Sequence, residues 1–108
     1  MTEYPIIIKG AATASVNIIN GVGRLKWCVR ETPAAEIDTG WTFLSEIDDE
    51  EFLAKKGNLR VVTYQSIVEI EPAVLWIYQL PVGTDIQLVI EKGKRYFVDS
   101  QTGKKIDV

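Results

Sequence analysis

The stretch Ile86-Gln87-Leu88-Val89-Ile90-Glu91, followed by Lys92-Gly93 and then Lys94-Arg95-Tyr96-Phe97-Val98, constrains this chain more than any other. Ile86, Leu88 and Ile90 alternate with Gln87, Val89 and Glu91, which is the period of a half-buried strand. Lys92-Gly93 is short enough to reverse the chain in a two-residue loop. Such a loop sets the register, with Glu91 opposite Lys94, Val89 opposite Tyr96 and Leu88 opposite Phe97. Residues 99–103 read as another turn, and residues 104–108 as a returning edge strand whose lysines discourage sheet-to-sheet pairing. The C-terminal part is therefore expected to be a three-stranded meander.

Upstream, Ile6-Ile7-Ile8 reads as a short buried strand closed by Lys9-Gly10, and residues 11–14 as a small-residue continuation that packs closely under its neighbours. Residues 15–20 are open between strand and a helical turn capped by Ser15. Asn20-Gly21-Val22-Gly23 is a turn whose two glycines are expected to supply positive φ angles. Residues 24–30 alternate again, with Leu25, Trp27 and Val29 on one face and Arg24, Lys26, Cys28 and Arg30 on the other. Thr32-Pro33-Ala34-Ala35 breaks this strand, and Thr39-Gly40 makes a second turn. Trp41-Thr42-Phe43-Leu44 then sends two large rings to the same side.

Ser45 and Asp48 match a capping box with Asp in place of Glu. Acidic residues in the following turn and Lys55-Lys56-Gly57 at the far end predict a helix over residues 46–56. Residues 59–62 form a strand, and Thr63 caps a helix carrying Tyr64, Ile67 and Val68 on one side. Pro72 ends that helix and opens a further short one reaching Leu80. The whole reads as one α+β domain spanning residues 1–108: a mostly antiparallel sheet ending in the meander, with two or three short helices packed on it.

Charge narrows the partners. The formal charge is −3, so neither nucleic acid nor a membrane surface is an expected partner, whereas a basic protein would be attracted. The chain has no histidine, which removes the usual base near neutral pH, the commonest zinc ligand and every nucleophile arrangement built on one. No catalytic residue, metal ligand set or cofactor is assigned. Cys28 is the single cysteine and has no internal disulfide partner, which suits a reducing, cytoplasmic location. Met1-Thr2-Glu3-Tyr4-Pro5 carries no basic segment ahead of the short isoleucine run, and no segment approaches the length of a membrane span.

Residues 31–54 contain no Lys or Arg, yet hold Glu31, Glu36, Asp38, Glu46, Asp48, Asp49, Glu50 and Glu51. The run lacks the glycine and alternation of a calcium loop. Its bland reading is a solvated helix start, where negative charge is favoured by the helix dipole. Its chemical readings are a partner-binding surface formed by Glu46, Asp48, Asp49, Glu50 and Glu51, or a small metal-dependent hydrolase using the same carboxylates. Arg30 is expected to pair with a local carboxylate such as Asp38. Gly21-Val22-Gly23 has no phosphate-loop context, and Cys28 reads as a small filler. Trp76-Ile77-Tyr78 is core by default, with a homo-oligomer surface as the alternative.

The residues Arg30-Glu31 with Pro33, Asp38, Gly40-Trp41, Phe43 and Ser45 then form a pattern. It continues through Asp48-Asp49-Glu50-Glu51-Phe52-Leu53 to Pro72 and Pro81-Val82-Gly83-Thr84. Over roughly residues 11–86 the chain resembles the immunity protein 33 family of bacteria. It departs from the family at Glu46-Ile47, where glycine and an acid are usual, and after Thr84, where Phe-Glu-Arg often follows. The resemblance implies a small non-enzymatic cytosolic protein that binds and neutralises a toxin. With it, Arg30, Asp38, Gly40, Trp41 and Phe43 become structural anchors, and the carboxylates of residues 46–51 become the surface that meets a basic toxin face.

Overall fold

The computed structural model describes residues 8–108, so the expected strand at Ile6-Ile7-Ile8 falls largely outside the described residues. The elements in chain order are β1 (Ala11–Ser15), α1 (Val16–Ile19), β2 (Leu25–Arg30), β3 (Asp38–Ser45), α2 (Glu50–Ala54), β4 (Leu59–Thr63), α3 (Tyr64–Ile70), a 3-10 helix (Pro72–Ile77), β5 (Asp85–Glu91) and β6 (Lys94–Asp99). The strands form one six-stranded sheet in the order β4-β1-β3-β2-β5-β6. Only the β1–β3 pair is parallel; β1–β4, β2–β3, β2–β5 and β5–β6 are antiparallel. This is an α+β fold with a mostly antiparallel sheet and a few short helices.

The β5–β6 hairpin has the predicted register, with Glu91 opposite Lys94, Val89 opposite Tyr96 and Leu88 opposite Phe97. Lys92 and Gly93 both take positive φ, at 51° and 78°, which matches the twist of the flanking strands. Beyond β6, residues 104–108 contribute a single bridge, Val98 to Lys105, in place of a full strand.

Three expectations change. In β2 the buried residues are Leu25 and Cys28, with Trp27 and Val29 only half-buried. A register shift between Leu25 and Trp27 against β3 is the cause: one extra residue moves every later side chain to the opposite face. Cys28 is thus fully buried against the core, as a small filler, although not on the polar side where simple alternation put it. Thr39-Gly40 is not a turn but lies inside β3, and the chain reverses earlier, through residues 34–37. In the 20–23 turn only Gly21 has a positive φ. Gly23 is required instead by proximity, since a Cβ there would meet Ile47 and Ser45 at 2.8–3.0 Å.

The helices cover one face of the sheet. Ser15 caps α1 by accepting from the Asn17 N–H, which resolves residues 15–20 as strand followed by one helical turn. Thr63 caps α3 through the Ser66 N–H, and Glu71 caps the 3-10 helix through the Ala73 N–H. The core runs as a chain of aromatic contacts. Trp41 and Phe43 stack at 5.9 Å, Phe43 meets Tyr64 edge-on at 5.6 Å, and Tyr64 meets Tyr78 edge-on at 4.7 Å. Tyr64 satisfies its buried hydroxyl by donating to the Val74 carbonyl at 2.6 Å. Burial of these rings removes the largest apolar areas in the chain from water and fixes β3 against the helical layer.

Candidate functional site

β3 carries both groups of candidate residues, one at each end, because its strand period buries Trp41 and Phe43 in the middle and leaves the termini to the surface. At its start, Gly40 takes φ 88°, and a side chain there would land on the Glu31 carbonyl oxygen. That closeness lets the Glu31 N–H bond the Gly40 carbonyl at 2.8 Å. Asp38 closes the loop before it, accepting from the Ala34 N–H at 2.9 Å and the Gly40 N–H at 2.8 Å. These two backbone donors hold the Asp38 carboxyl below the usual aspartate range.

Arg30 does not pair with Asp38. Its Nε donates to the Thr39 carbonyl at 2.8 Å and its guanidinium to the Leu80 carbonyl at 2.6 Å, with the Trp41 ring 5.9 Å away. The reason is geometric: the fork of the guanidinium meets two carbonyls, one in β3 and one just before the 81–84 turn, while the Asp38 oxygens are aimed at the Ala34 and Gly40 N–H groups. Arg30 therefore ties the 81–84 turn to the start of β3. An open cleft of about 590 Å³ lies beside it, lined by Lys9, Arg30, Glu36, Asp38, Thr39 and Tyr78 among others. The Tyr78 hydroxyl donates to the Lys9 carbonyl and accepts from the Lys9 N–H.

At the other end of β3 the predicted helix over residues 46–56 is reduced to α2, Glu50–Ala54. Asp48 explains the difference. One carboxylate oxygen accepts from the Ser15 hydroxyl at 2.9 Å and the Asn17 amide at 2.8 Å, and the other accepts from the Ser45 N–H at 2.6 Å. So half of the capping box exists, Asp48 reaching back to Ser45, but the same carboxylate is drawn across to β1 and α1. Residue 48 thereby leaves the helical path, and Asp49 starts the helix instead, accepting from the Phe52 N–H at 2.7 Å. Partial burial raises the Asp48 pKa, and the donors outweigh it, so the carboxyl sits below its ordinary value. The Ser45 hydroxyl is itself buried and makes no hydrogen bond among the described residues.

Around this knot Glu46, Asp49, Glu50 and Glu51 are exposed. None of them is in an ion pair; the one salt bridge among the described residues joins Arg95 to the buried Glu71 at 2.9 Å. Lys55 and Lys56 follow α2 without engaging its carboxylates. Ile47, 52% exposed, and Val22, 65% exposed and adjacent to the Gly23 that Ile47 touches, put apolar surface among these charges. Glu31, Glu36 and Asp38 stand at the opposite end of β3, roughly 20 Å away for a strand of that length. The acidic run that is continuous in sequence is thus two clusters in space.

Other candidates separate in the same way. Of Trp76, Ile77 and Tyr78, Trp76 is 54% exposed and Ile77 is fully buried, while Tyr78 is half-buried with its hydroxyl occupied. Among the described residues no group of three or more His, Cys, Asp and Glu converges as a ligand set for a metal, and no helix is long and apolar enough to cross a membrane. Sequence reasoning missed the Glu71–Arg95 pair and the Ser15–Asn17–Asp48 knot. Only the Ser-x-x-Asp spacing at 45–48 hinted at the second. It also missed the gathering of Lys92, Lys94, Arg95 and Lys105 around Tyr96, where the Lys105 ammonium lies 5.2 Å from the ring.

The model of the Immunity protein Imm33 domain matches residues 12–99, which cover every strand and helix above except Ala11, the first residue of β1. Comparison with curated proteins and with solved structures finds no match. A match over that much of the chain is decisive on its own: the protein belongs to the Imm33 immunity protein family, whose membership points to a role in toxin immunity.

Proposed function

We propose that this protein neutralises a toxin by binding it, without chemistry of its own, through the exposed carboxylates at the C-terminal end of β3 and on α2. The observation that carries the reading is the set Glu46, Asp49, Glu50 and Glu51, all exposed and free of ion pairs among the described residues, around the exposed Ile47. An apolar contact ringed by charge is the ordinary composition of a protein interface. Unneutralised carboxylates steer a cationic partner toward it and speed association. A toxin that acts on nucleic acid has a cationic site for phosphates, and such a carboxylate row suits that site. Asp48 holds the row in place: its oxygens are committed to Ser15, Asn17 and Ser45, so it sets how its neighbours are presented.

The test takes as partner a toxin encoded next to this gene, identified by sequencing the locus. Co-expression should rescue growth, and the purified pair should associate at a rate that falls as salt rises. Glu46→Lys with Glu51→Lys, which leaves the Asp49 cap of α2 in place, should slow association at least about tenfold at low salt, with the folded state verified by circular dichroism. Absence of rescue refutes immunity; an unchanged on-rate with rescue intact refutes this surface alone.

A further inference from the structure

A six-stranded open sheet has two edges, and this one treats them differently. Beyond β6, residues 104–106 cover the outer side: the Asp99 N–H bonds the Lys104 carbonyl at 2.8 Å, and the Ile106 N–H bonds the Phe97 carbonyl at 2.9 Å. The rest of that edge carries the exposed cations Lys94 and Arg95, a common guard against strand-to-strand association. At the other edge, β4 has no partner on its outer side among the described residues, contains neither proline nor bulge, and has Arg60 as its sole charge.

The register shows which backbone groups β4 leaves free. The Tyr64 N–H bonds the Gly10 carbonyl and the Val16 N–H bonds the Asn58 carbonyl, in line with the pairs Ala12–Val62 and Ala14–Arg60. Hydrogen-bonded pairs alternate along an antiparallel ladder, so Asn58, Arg60, Val62 and Tyr64 face β1. The N–H and C=O groups of Leu59 and Val61 and the N–H of Thr63 point outward, while the Thr63 carbonyl is engaged by α3. Val62 packs against the core, which sends the side chains of Leu59 and Val61 to the opposite, helix-free face, where they are 37% and 75% exposed.

We propose that β4 is a self-association edge, on which β4 of a second copy of this chain pairs antiparallel about a two-fold axis through Val61. The occupant is a second copy because the strand is complementary to itself. With Val61 opposite Val61, Leu59 falls opposite Thr63, and the three outward-facing residues of each chain meet their counterparts. About four backbone hydrogen bonds form, because the Thr63 carbonyl already accepts from the Ser66 hydroxyl and, as the N-cap of α3, from the first intrahelical N–H. Val61 meets its symmetry mate on the open face, and Arg60 lies opposite Val62 rather than opposite its own mate. The two Arg60 side chains are diagonal neighbours, roughly 7 Å apart, so like charges flank the axis. This pairing therefore tightens as salt rises, the opposite of an association of the acidic end of one chain with the cationic end of another. The proposal is independent of the toxin-binding reading, which a strictly monomeric protein would leave untouched.

Sedimentation equilibrium on the full chain from 5 to 500 µM, at about 0.05 and 0.5 M salt, tests it. A monomer–dimer equilibrium that strengthens at the higher salt is expected. Val61→Lys places two ammonium groups on the axis, and Val61→Pro removes an outward N–H that makes no bond within the chain; each should weaken the dimer at least about tenfold. Val61 is largely exposed, so Val61→Lys should keep the fold, verified by circular dichroism, and it decides alone if Val61→Pro does not fold. A monomer at every concentration overturns the proposal. So does a dimer that survives Val61→Lys, one that weakens with salt, or one abolished by Trp76→Ala.

Discussion

Replacing Asp48 probes the site most sharply, because one carboxylate joins three segments that are distant in sequence. Its partners are the Ser15 hydroxyl, the Asn17 amide and the Ser45 N–H. A hydrogen bond to a charged group is worth about 1.5–3 kcal/mol when well buried. Asp48 is only half-buried, and water replaces part of what is lost, so Asp48→Ala should cost about 2–3 kcal/mol rather than the sum of three bonds. For a domain of this size that is a fall of roughly 10–20 °C in Tm. Asp48→Asn keeps the shape but turns an amide donor toward either the Ser45 N–H or the Ser15 and Asn17 donors, and should recover less than half of the loss.

Acid gives the second signature. The folded pKa of Asp48 lies below its unfolded value, so its contribution is complete above the unfolded pKa of about 3.9 and disappears as pH falls through the folded value. Urea unfolding of the wild type, Asp48→Ala and Asp48→Asn at pH 7 and in steps down to pH 2.5 measures both effects. The gap between Asp48→Asn and wild type should narrow on acidification. A loss under about 0.5 kcal/mol for Asp48→Ala, or a gap that ignores pH, would refute the knot.

Gly40→Ala should destabilise by about 3 kcal/mol or more, since it combines a positive φ with a collision against the Glu31 carbonyl. Gly21→Ala, at φ 74° with open space around it, should cost only about 1 kcal/mol; equal losses in urea titrations would remove the argument for close approach. Cys28 is fully buried, and burial first, with the Glu71 carboxylate adding to it, pushes its thiol pKa well up. A thiol reagent at pH 8 should therefore modify the folded protein only as fast as it opens, and labelling at the rate of a free thiol would contradict the packing.

The hairpin of β5 and β6 was legible residue by residue, because a two-residue loop leaves one register and the alternation leaves one face. The cap at Thr63 and the break at Pro72 were legible for the same local reason, whereas residues 15–20 stayed open between a strand and a turn capped by Ser15. What escaped was set by distance. Nothing near Cys28 announces that the strand slips by a residue between Leu25 and Trp27; the slip is decided by the fit of β2 against β3. Arg30 finds a carbonyl 50 residues away in Leu80, so choosing Asp38 as its partner from sequence was a choice of the near over the available. The helix expected from residue 46 failed because Ser15 and Asn17 claim Asp48 from 33 and 31 positions upstream. The acidic cluster survives at Glu46, Asp49, Glu50 and Glu51, while Glu31, Glu36 and Asp38 go to the far end of a strand whose length composition does not encode.

The parallel pairing of β1 with β3 has a consequence for how the chain is made. β1 leaves the ribosome first among the described strands, yet it lies inside the sheet, with Thr13 opposite Thr42 on one side and Val61 on the other. At about 5–20 residues per second, β1 waits about 2–10 s for β4 to be synthesised. Until then its alanines are the least adhesive apolar surface a nascent strand can offer. The hairpins of β2 with β3 and of β5 with β6 close from local contacts, but β1, one strand in from the β4 edge, joins β3 in parallel across the intervening β2, and non-local pairing of that kind is intrinsically slow.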